Sequence, residues 1–234
     1  IAWIAALVVW YIQTKGPALA VLSMAIAVWL LVATLREWSS RIRLGQVALT
    51  DSLDRLRRVP RAAHGMTLAH AGLAVCMFGF VGSSAWKSEE VLFVQAGTQV
   101  QIAGFDVTFE GVKQIQGPNY IASVGTLNVM RNGRLVTVLY PERRSYPVAQ
   151  SQTTEAAIRS TPAGDLYASI TEPVNQDVKG KWTLRILYEP LVGFVWFGSL
   201  MLVLGGLLSL SDRRLRVGAP KRKARSQIIP VAAE

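Results

Sequence analysis

Residues 17–35, 65–85 and 190–210 form three apolar runs without a single Lys, Arg, Asp or Glu. About 20 apolar residues in a helix cross the hydrocarbon of a bilayer, so each run is long enough, or nearly so, to span. That places the chain among polytopic α-helical membrane proteins. A fourth apolar run, residues 1–12, is too short to cross. It lacks the basic leading region of a signal peptide. It reads as a spanning helix cut near its middle, and the chain as the C-terminal part of something longer. Composition agrees: 51% of the 234 residues are hydrophobic, with a net charge of +10. The single cysteine excludes a disulfide scaffold, a CxxC redox motif and a cysteine zinc site, and without CxxCH the chain is not itself a c-type cytochrome.

Charge orients the spans. The loop at residues 36–61 carries seven Arg against three acids, and the tail at 212–225 carries seven basic residues against one acid. Residues 86–188 hold ten basic and nine acidic residues. The positive-inside rule sets the first two segments in the cytoplasm and the third outside. A basic tail also fits nucleic acid. Arg213, Arg214 and Arg216 directly follow a span, however, where they fix topology and meet anionic membrane lipid. No nucleic-acid partner is expected. The resulting order is a truncated span plus one transmembrane helix (1–35), a cytoplasmic loop (36–64), a helix carrying His70 (65–85), a periplasmic domain (86–188), a last span (190–210) and a basic tail (211–234). In the loop, Leu49, Leu53 and Leu56 share one helical face while Asp54, Arg55, Arg57 and Arg58 favour the other. This predicts a short interfacial helix ended by Pro60.

Residues 86–188 read as β. Residues 91–95 and 105–112 have strand composition, with Phe105, Val107 and Phe109 alternating. Asn132-Gly133 predicts a type I′ hairpin that pairs Val129 with Val136, Leu127 with Val138, and Asn128 with Thr137. Residues 165–171 and 181–188 are further strands, the latter alternating Trp182, Leu184, Ile186 and Tyr188 and leading into a last span that starts at Pro190. Thr154-Glu155 ahead of Ala-Ala-Ile reads as a short helix start without catalytic meaning. The expectation is a β-rich extracytoplasmic insert, a small antiparallel barrel or sandwich, with an OB-like barrel among the forms. It contains no His or Cys and no nucleophile elbow, phosphate loop or metal cluster.

Two histidines remain. His64 sits beside Arg61 at the cytoplasmic end, where water or headgroups can solvate it. His70 lies inside a span, among Met66, Thr67, Leu73, Ala74 and Met77, and an unpaired polar group there costs several kcal/mol. One reading is a hydrogen bond to a neighbouring helix. The other is an axial ligand to haem iron through a neutral imidazole, approached over the small residues Ala69, Ala71 and Gly72. Cys76 reads as a small apolar residue, and Gly198, Gly205 and Gly206 as helix-packing sites.

Pro60-Arg-x3-Gly65-Met-x2-Ala-His70-x-Gly72-Leu-Ala-Val75 resembles the segment entering a late transmembrane helix of the CcmF family. Tyr140-Pro-Glu-Arg-Arg144 with Tyr146, Thr154-Glu-Ala-Ala-Ile158, Asp165-Leu-Tyr167, Trp182-x2-Arg185 and Leu204-Gly-Gly-Leu-Leu-Ser-Leu-Ser-Asp-Arg-Arg214 continue the likeness in order. The dedicated NrfE-type lyases share such motifs. The resemblance covers nearly the whole chain and implies the C-terminal portion of a haem lyase of System I cytochrome c maturation in the bacterial inner membrane. It implies a b-type haem held between two transmembrane histidines, of which His70 matches the later. The earlier one, two periplasmic histidines and a tryptophan-rich segment lie upstream in the family and are not in this sequence. Partners implied are the N-terminal part of the lyase, CcmH-type and CcmE-type maturation proteins and apocytochrome c. The implied reaction joins haem vinyl groups to CxxCH thiols, with the b haem as reductant of the incoming haem, and the chain is not expected to perform it alone. In the rim segment Tyr188-x-Pro190-Leu-Val-x, Glu189 and Gly193 stand where many members carry a basic residue.

Two other classes stay open from the residues: a non-catalytic membrane scaffold or docking subunit of a cytochrome assembly complex, and half of a transporter. The three spans lack broken centres and paired charges, which argues against the transporter.

Overall fold

The computed structural model describes residues 2–12, 17–172 and 181–212. The basic tail beyond Asp212, with Arg213, Arg214 and Arg216, lies outside the described residues.

Three helices are long and apolar enough to cross a membrane: α2 (Ala18–Arg41), α4 (Arg61–Ala85) and α5 (Val192–Leu210). The short α1 (Ala2–Ile12) precedes them, and α3 (Leu49–Arg58) fills the loop between α2 and α4. Pro17 and Pro60 stand at the N-caps of α2 and α4. A proline there is tolerated because a helix's first N–H groups have no internal acceptor. Val59 and Pro60, both extended, separate α3 from α4.

Close backbone approach joins α4 to α5. A Cβ on Gly65 would lie 2.5 Å from the Gly205 carbonyl, one on Gly72 2.8 Å from the Gly198 carbonyl, and one on Gly79 2.6 Å from the Val195 nitrogen. The α4 glycines recur every seven residues, as do Gly198 and Gly205 on α5. That repeat keeps one seam facing its partner along both helices. Gly206, expected among the packing glycines, has open space around it because it lies off this seam.

The inserted domain is a curled antiparallel β-sandwich. One sheet has the order β1 (Ser88–Val94), β10 (Trp182–Pro190), β9 (Gly164–Thr171), β8 (Ala157–Thr161). The other runs β2 (Thr98–Ile102), β3 (Phe105–Gln116), β4 (Ile121–Arg131), β6 (Glu142–Tyr146), β7 (Ser151–Glu155), with β5 (Arg134–Leu139) also on β4. No strand pairs across the sheets, so of the two expected forms the sandwich holds and a closed, OB-like barrel does not. Alternation builds the core: Phe105, Val107 and Phe109 of β3, with Leu127 and Val129 of β4, face Leu166, Ala168 and Ile170 of β9 and Leu184 and Ile186 of β10.

Three local expectations change. Asn132 and Gly133 both take positive φ, as a type I′ turn requires. Met130 then pairs with Leu135, but a bulge follows, so Val129 opposes Thr137, Asn128 opposes Val138 and Leu127 opposes Leu139. The slip by one residue lets Leu139 face Leu127 and become buried. Thr154 and Glu155 are strand, not a helix start, because β6 offers them a ladder: Glu142 pairs with Glu155 and Arg143 with Thr154. Pro190 ends β10, paired with Gly164, and the helix starts beyond Leu191, whose φ is +60°.

The sandwich is fastened to the bundle at that corner. β1 and β10 pair from Ser88–Tyr188 onward, so the strands attached to α4 and α5 are neighbours. Leu191 N–H donates to the Ala163 carbonyl (3.0 Å), and the Tyr188 hydroxyl donates to the same oxygen (3.3 Å). Gly164 (φ +153°) permits this corner, since a Cβ would sit 2.6 Å from the Glu189 carbonyl.

Candidate functional site

The faces of α4 do different work. The face with Gly65, Gly72 and Gly79 is covered by α5. Another side packs against α2, and near the sandwich end the two leave a shallow apolar cleft lined by Leu19, Ala20, Phe80 and Val81. The face opposite the glycines carries Met66, His70, Leu73 and Met77 by the 3.6-residue period. Met66 and Leu73 are 41% and 43% exposed, and His70 is exposed between them. His70 therefore sits on an apolar face that no described residue covers, roughly 13 Å along the axis from Arg61 at 1.5 Å per residue.

His70 Nδ1 lies 2.8 Å from the Met66 carbonyl oxygen, one turn back on its own helix. A carbonyl only accepts, so Nδ1 carries the proton and donates. In a neutral ring the Nε2 lone pair then points away from the helix. This is the tautomer a metal-binding imidazole uses, with its other nitrogen held by a carbonyl. The interhelical hydrogen bond considered for His70 is not found among the described residues. The small residues expected to open its approach are used elsewhere: Gly72 and Ala69 lie against Gly198 and Gly205, and Ala71 is buried. Flexible Met66 and Met77 flank the imidazole instead.

His64 has a different setting. The Trp38 indole N–H donates to its Nδ1 (3.4 Å), so the proton rests on Nε2, which donates to the Leu56 carbonyl (3.1 Å). The half-buried ring thus joins α2, the end of α3 and α4, rather than being solvated as its position beside Arg61 predicts. Beside it, Asp212 Oδ2 accepts the Ala62 N–H (3.1 Å), a carboxylate on the amino end of α4. Sequence reasoning missed both joints. Trp38 and Asp212 were visible only as an aromatic and an acid near span ends, and separations of 26 and 150 residues leave no local pattern.

His64 and His70 are six residues apart, about a third of a turn around the helix from each other, so they do not converge on one ion. Among the described residues no three His, Cys, Asp or Glu side chains are grouped to hold a metal. Cys76 is buried, 3.8 Å from the Ser199 hydroxyl across the α4–α5 seam. In the sandwich the charged motifs act as fastenings. Arg185 of β10 pairs with Glu89 of β1 (2.7 Å), and Lys87 reaches the same carboxylate (3.0 Å). Lys87 and Arg185 hold the Glu89 carboxyl below its ordinary range. Arg144 pairs with Glu142 (2.7 Å) and stacks over Tyr120; Glu142 first and Tyr146 next hold its guanidinium protonated still more firmly, while Arg143 reaches Thr154 and Gln152 on β7. Pro141 is fully buried and its carbonyl accepts the Gly125 N–H. The Tyr140–Arg144 motif therefore stitches β4, β6 and β7 together.

A family model described as the CcmF C-terminal beta-sandwich matches residues 85–190, the whole inserted domain. The chain is 38% identical over 224 residues to the cytochrome c-type biogenesis protein CycK of Bradyrhizobium diazoefficiens, covering 95% of this chain and 34% of that protein. It is 36% identical over 220 residues to CcmF of Escherichia coli, covering 94% and 32%. To NrfE of Haemophilus influenzae it is 28% identical over 216 residues, covering 90% and 31%. The chain thus spans about a third of the length of the curated relatives it matches. The solved structure of the cytochrome c heme lyase CcmF superposes with a TM-score of 0.68 at 16% identity, over 90% of this chain and 33% of that one, a likeness of fold. The chain is an integral membrane protein that belongs to the CcmF family of cytochrome c-type biogenesis proteins, and it corresponds to the portion that carries their C-terminal β-sandwich.

Proposed function

We propose that the chain is the C-terminal part of a cytochrome c haem lyase of the bacterial inner membrane, with the sandwich in the periplasm and His70 as one axial ligand of a transmembrane b-type haem. The observation that carries this reading is the His70 ring: Nδ1–H anchored on the Met66 carbonyl, Nε2 without a hydrogen bond among the described residues, on an exposed apolar face. An imidazole left bare in hydrocarbon is costly, and an iron bond removes that cost.

The donor set fits one side of a haem. A neutral Nε2 is the right ligand atom, and Met66, Leu73 and Met77 offer apolar, adaptable surface to a flat macrocycle. The second ligand comes from another element, since the other histidine is committed to Trp38 and Leu56. A bound haem supplies one-electron chemistry at this depth of the membrane. The chain's own part is to orient the imidazole through Met66, to leave Nε2 open to a partner, and to hold the sandwich over the α4–α5 end through Gly164 and Leu191. The sandwich offers packed sheets and ion-paired arginines rather than titratable catalytic groups. Its role on this reading is to dock CcmH-type and CcmE-type proteins and the apocytochrome beside the remaining N-terminal part of the lyase. Seven Arg in the 36–61 loop against the near-neutral 86–188 segment support the periplasmic placement.

Covalent haem on a co-expressed apocytochrome tests this in the complete assembly. His70→Ala is expected to lower the yield at least about 10-fold with the chain still in the membrane, as losses around metal ligands do. His64→Ala, which removes a structural joint, is expected to change it much less. An undiminished yield in His70→Ala would leave the scaffold reading in its place.

A further inference from the structure

On the face of the bundle opposite the sandwich, α2 ends at Arg41, α4 begins at Arg61 and α5 ends at Leu210. An open cleft of about 540 Å³ lies there between the α3–α4 elbow and the end of α5. Arg57, Arg58 and Arg61 line it around Val59 and Pro60, with Asp212 on the α5 side. Among the described residues neither Arg58 nor Arg61 forms an ion pair, and Arg57 touches Asp54 only at 3.9 Å, with its side chain 82% exposed. Asp212 already accepts the Ala62 N–H, so the amino end of α4 has its own carboxylate and the arginines are left for another anion. A second cleft of about 490 Å³, sharing Arg58, Val59 and Pro60, continues toward Arg41 and Arg55 but includes Asp51 and Asp54. Leu49 and Leu53 of α3 are 71% and 56% exposed. A helix with bare leucines at the level where three spans end lies in the plane of a bilayer interface.

We infer that the Arg57–Arg58–Arg61 cleft is a binding site for the phosphate of an anionic phospholipid, at the interface level that the bare Leu49 and Leu53 on the other face of α3 mark. The three arginines come from two helices joined by the extended Val59–Pro60 elbow, which sets where their backbones stand around the cleft. Arginine forks match phosphate geometry, and such pockets at span ends select anionic headgroups over zwitterionic ones. Charge complementarity and the position of the cleft, level with the ends of three spans and with the bare leucines of α3, together specify a lipid headgroup rather than a soluble phosphate. Occupancy would brace the elbow that sets where α4, and so His70, begins.

The test uses the full chain purified with its assembly from vesicles of phosphatidylcholine with one fifth phosphatidylglycerol. Lipid retained through mild detergent is quantified by mass spectrometry. The expected result is phosphatidylglycerol enriched over its share in the vesicles, with that enrichment lost in Arg58→Gln/Arg61→Gln, each arginine being worth about five-fold in affinity. Arg58→Lys/Arg61→Lys should keep part of the enrichment, which separates a lost site from a misfolded chain. Arg131→Gln/Arg134→Gln, the same charge removed from the sandwich, should change nothing. Equal enrichment in the double glutamine variant, or none in the wild type, would overturn the proposal. Displacement by millimolar glycerol phosphate would overturn it too, because the site would then serve soluble phosphate.

Discussion

The sandwich and the helical bundle finish their surfaces in opposite ways. In the sandwich, Val94, Leu127, Val129, Ala168, Ile170, Leu184 and Ile186 are all wholly buried, and both sheets turn their apolar faces inward on each other. Among the described residues of the bundle, Met24 is the large side chain buried as deeply, while Leu19, Trp29, Phe80, Trp196 and Leu207 stay open. Along the α4–α5 seam the closest contacts are made by glycine backbones, with Phe78 edge-on to Phe194 beside them. The first region carries its own hydrophobic driving force and is complete. The second leaves an apolar surface of the kind that lipid or further protein covers, and His70 stands exposed on it.

If the two regions are built on these different terms, different substitutions should break them. The largest effect is expected in the sandwich core. Phe109→Ala empties a site 1% exposed between the sheets and should cost about 3–5 kcal/mol, read as the loss of the cooperative β-sheet melting transition. The α4–α5 seam should tolerate removal of side chains but not their addition. Gly72→Leu meets Gly198 and Met201 within 3 Å and should cost about 1–3 kcal/mol or more by overpacking, seen as increased protease access to the bundle with the sandwich transition unchanged. Melting of both regions together after Gly72→Leu would contradict their independence.

The smallest effect concerns the β1–β10 fastening. Lys87 and Arg185 lower the Glu89 pKa below its ordinary value of 4.5. Folding therefore favours the ionised form, and the stabilisation is full above that ordinary value and lost as pH falls through the lowered one. The melting-temperature difference between wild type and Glu89→Gln should be small and constant near neutrality and shrink in acid below about pH 4.5. A difference that grows in acid would contradict the pairing.

Legibility from sequence followed the same division. The spans showed as charge-free runs, and Gly198 and Gly205 as packing sites, but the α4 half of the seam (Gly65, Gly72 and Gly79) was not read, and Gly72 was assigned to the approach beside His70 instead. His70 stood out because an ionisable ring within such a run is uncommon. The Phe105–Val107–Phe109 alternation marked an inner face. Strands β6 and β7 were not visible because Glu142–Tyr146 is half-buried on both faces and Ser151–Glu155 is nearly all exposed, so neither alternates. The bulge at Val136 could not be seen from the Asn132-Gly133 turn, because it answers to where Leu139 must face. Trp38 on His64 and Asp212 on Ala62 belong to chain segments brought together only by folding, as does the bare face of His70, which depends on where α2 and α5 are not.

The central claim is that His70 Nε2 is an iron ligand, and the reduced-minus-oxidised absorption spectrum of the purified assembly tests it most directly. Wild type should show a b-type difference band. In His70→Ala the band should disappear while the sandwich melts normally, and added imidazole should restore part of it by filling the vacated position. A band of undiminished height in His70→Ala would contradict the account and return His70 to a structural role on α4.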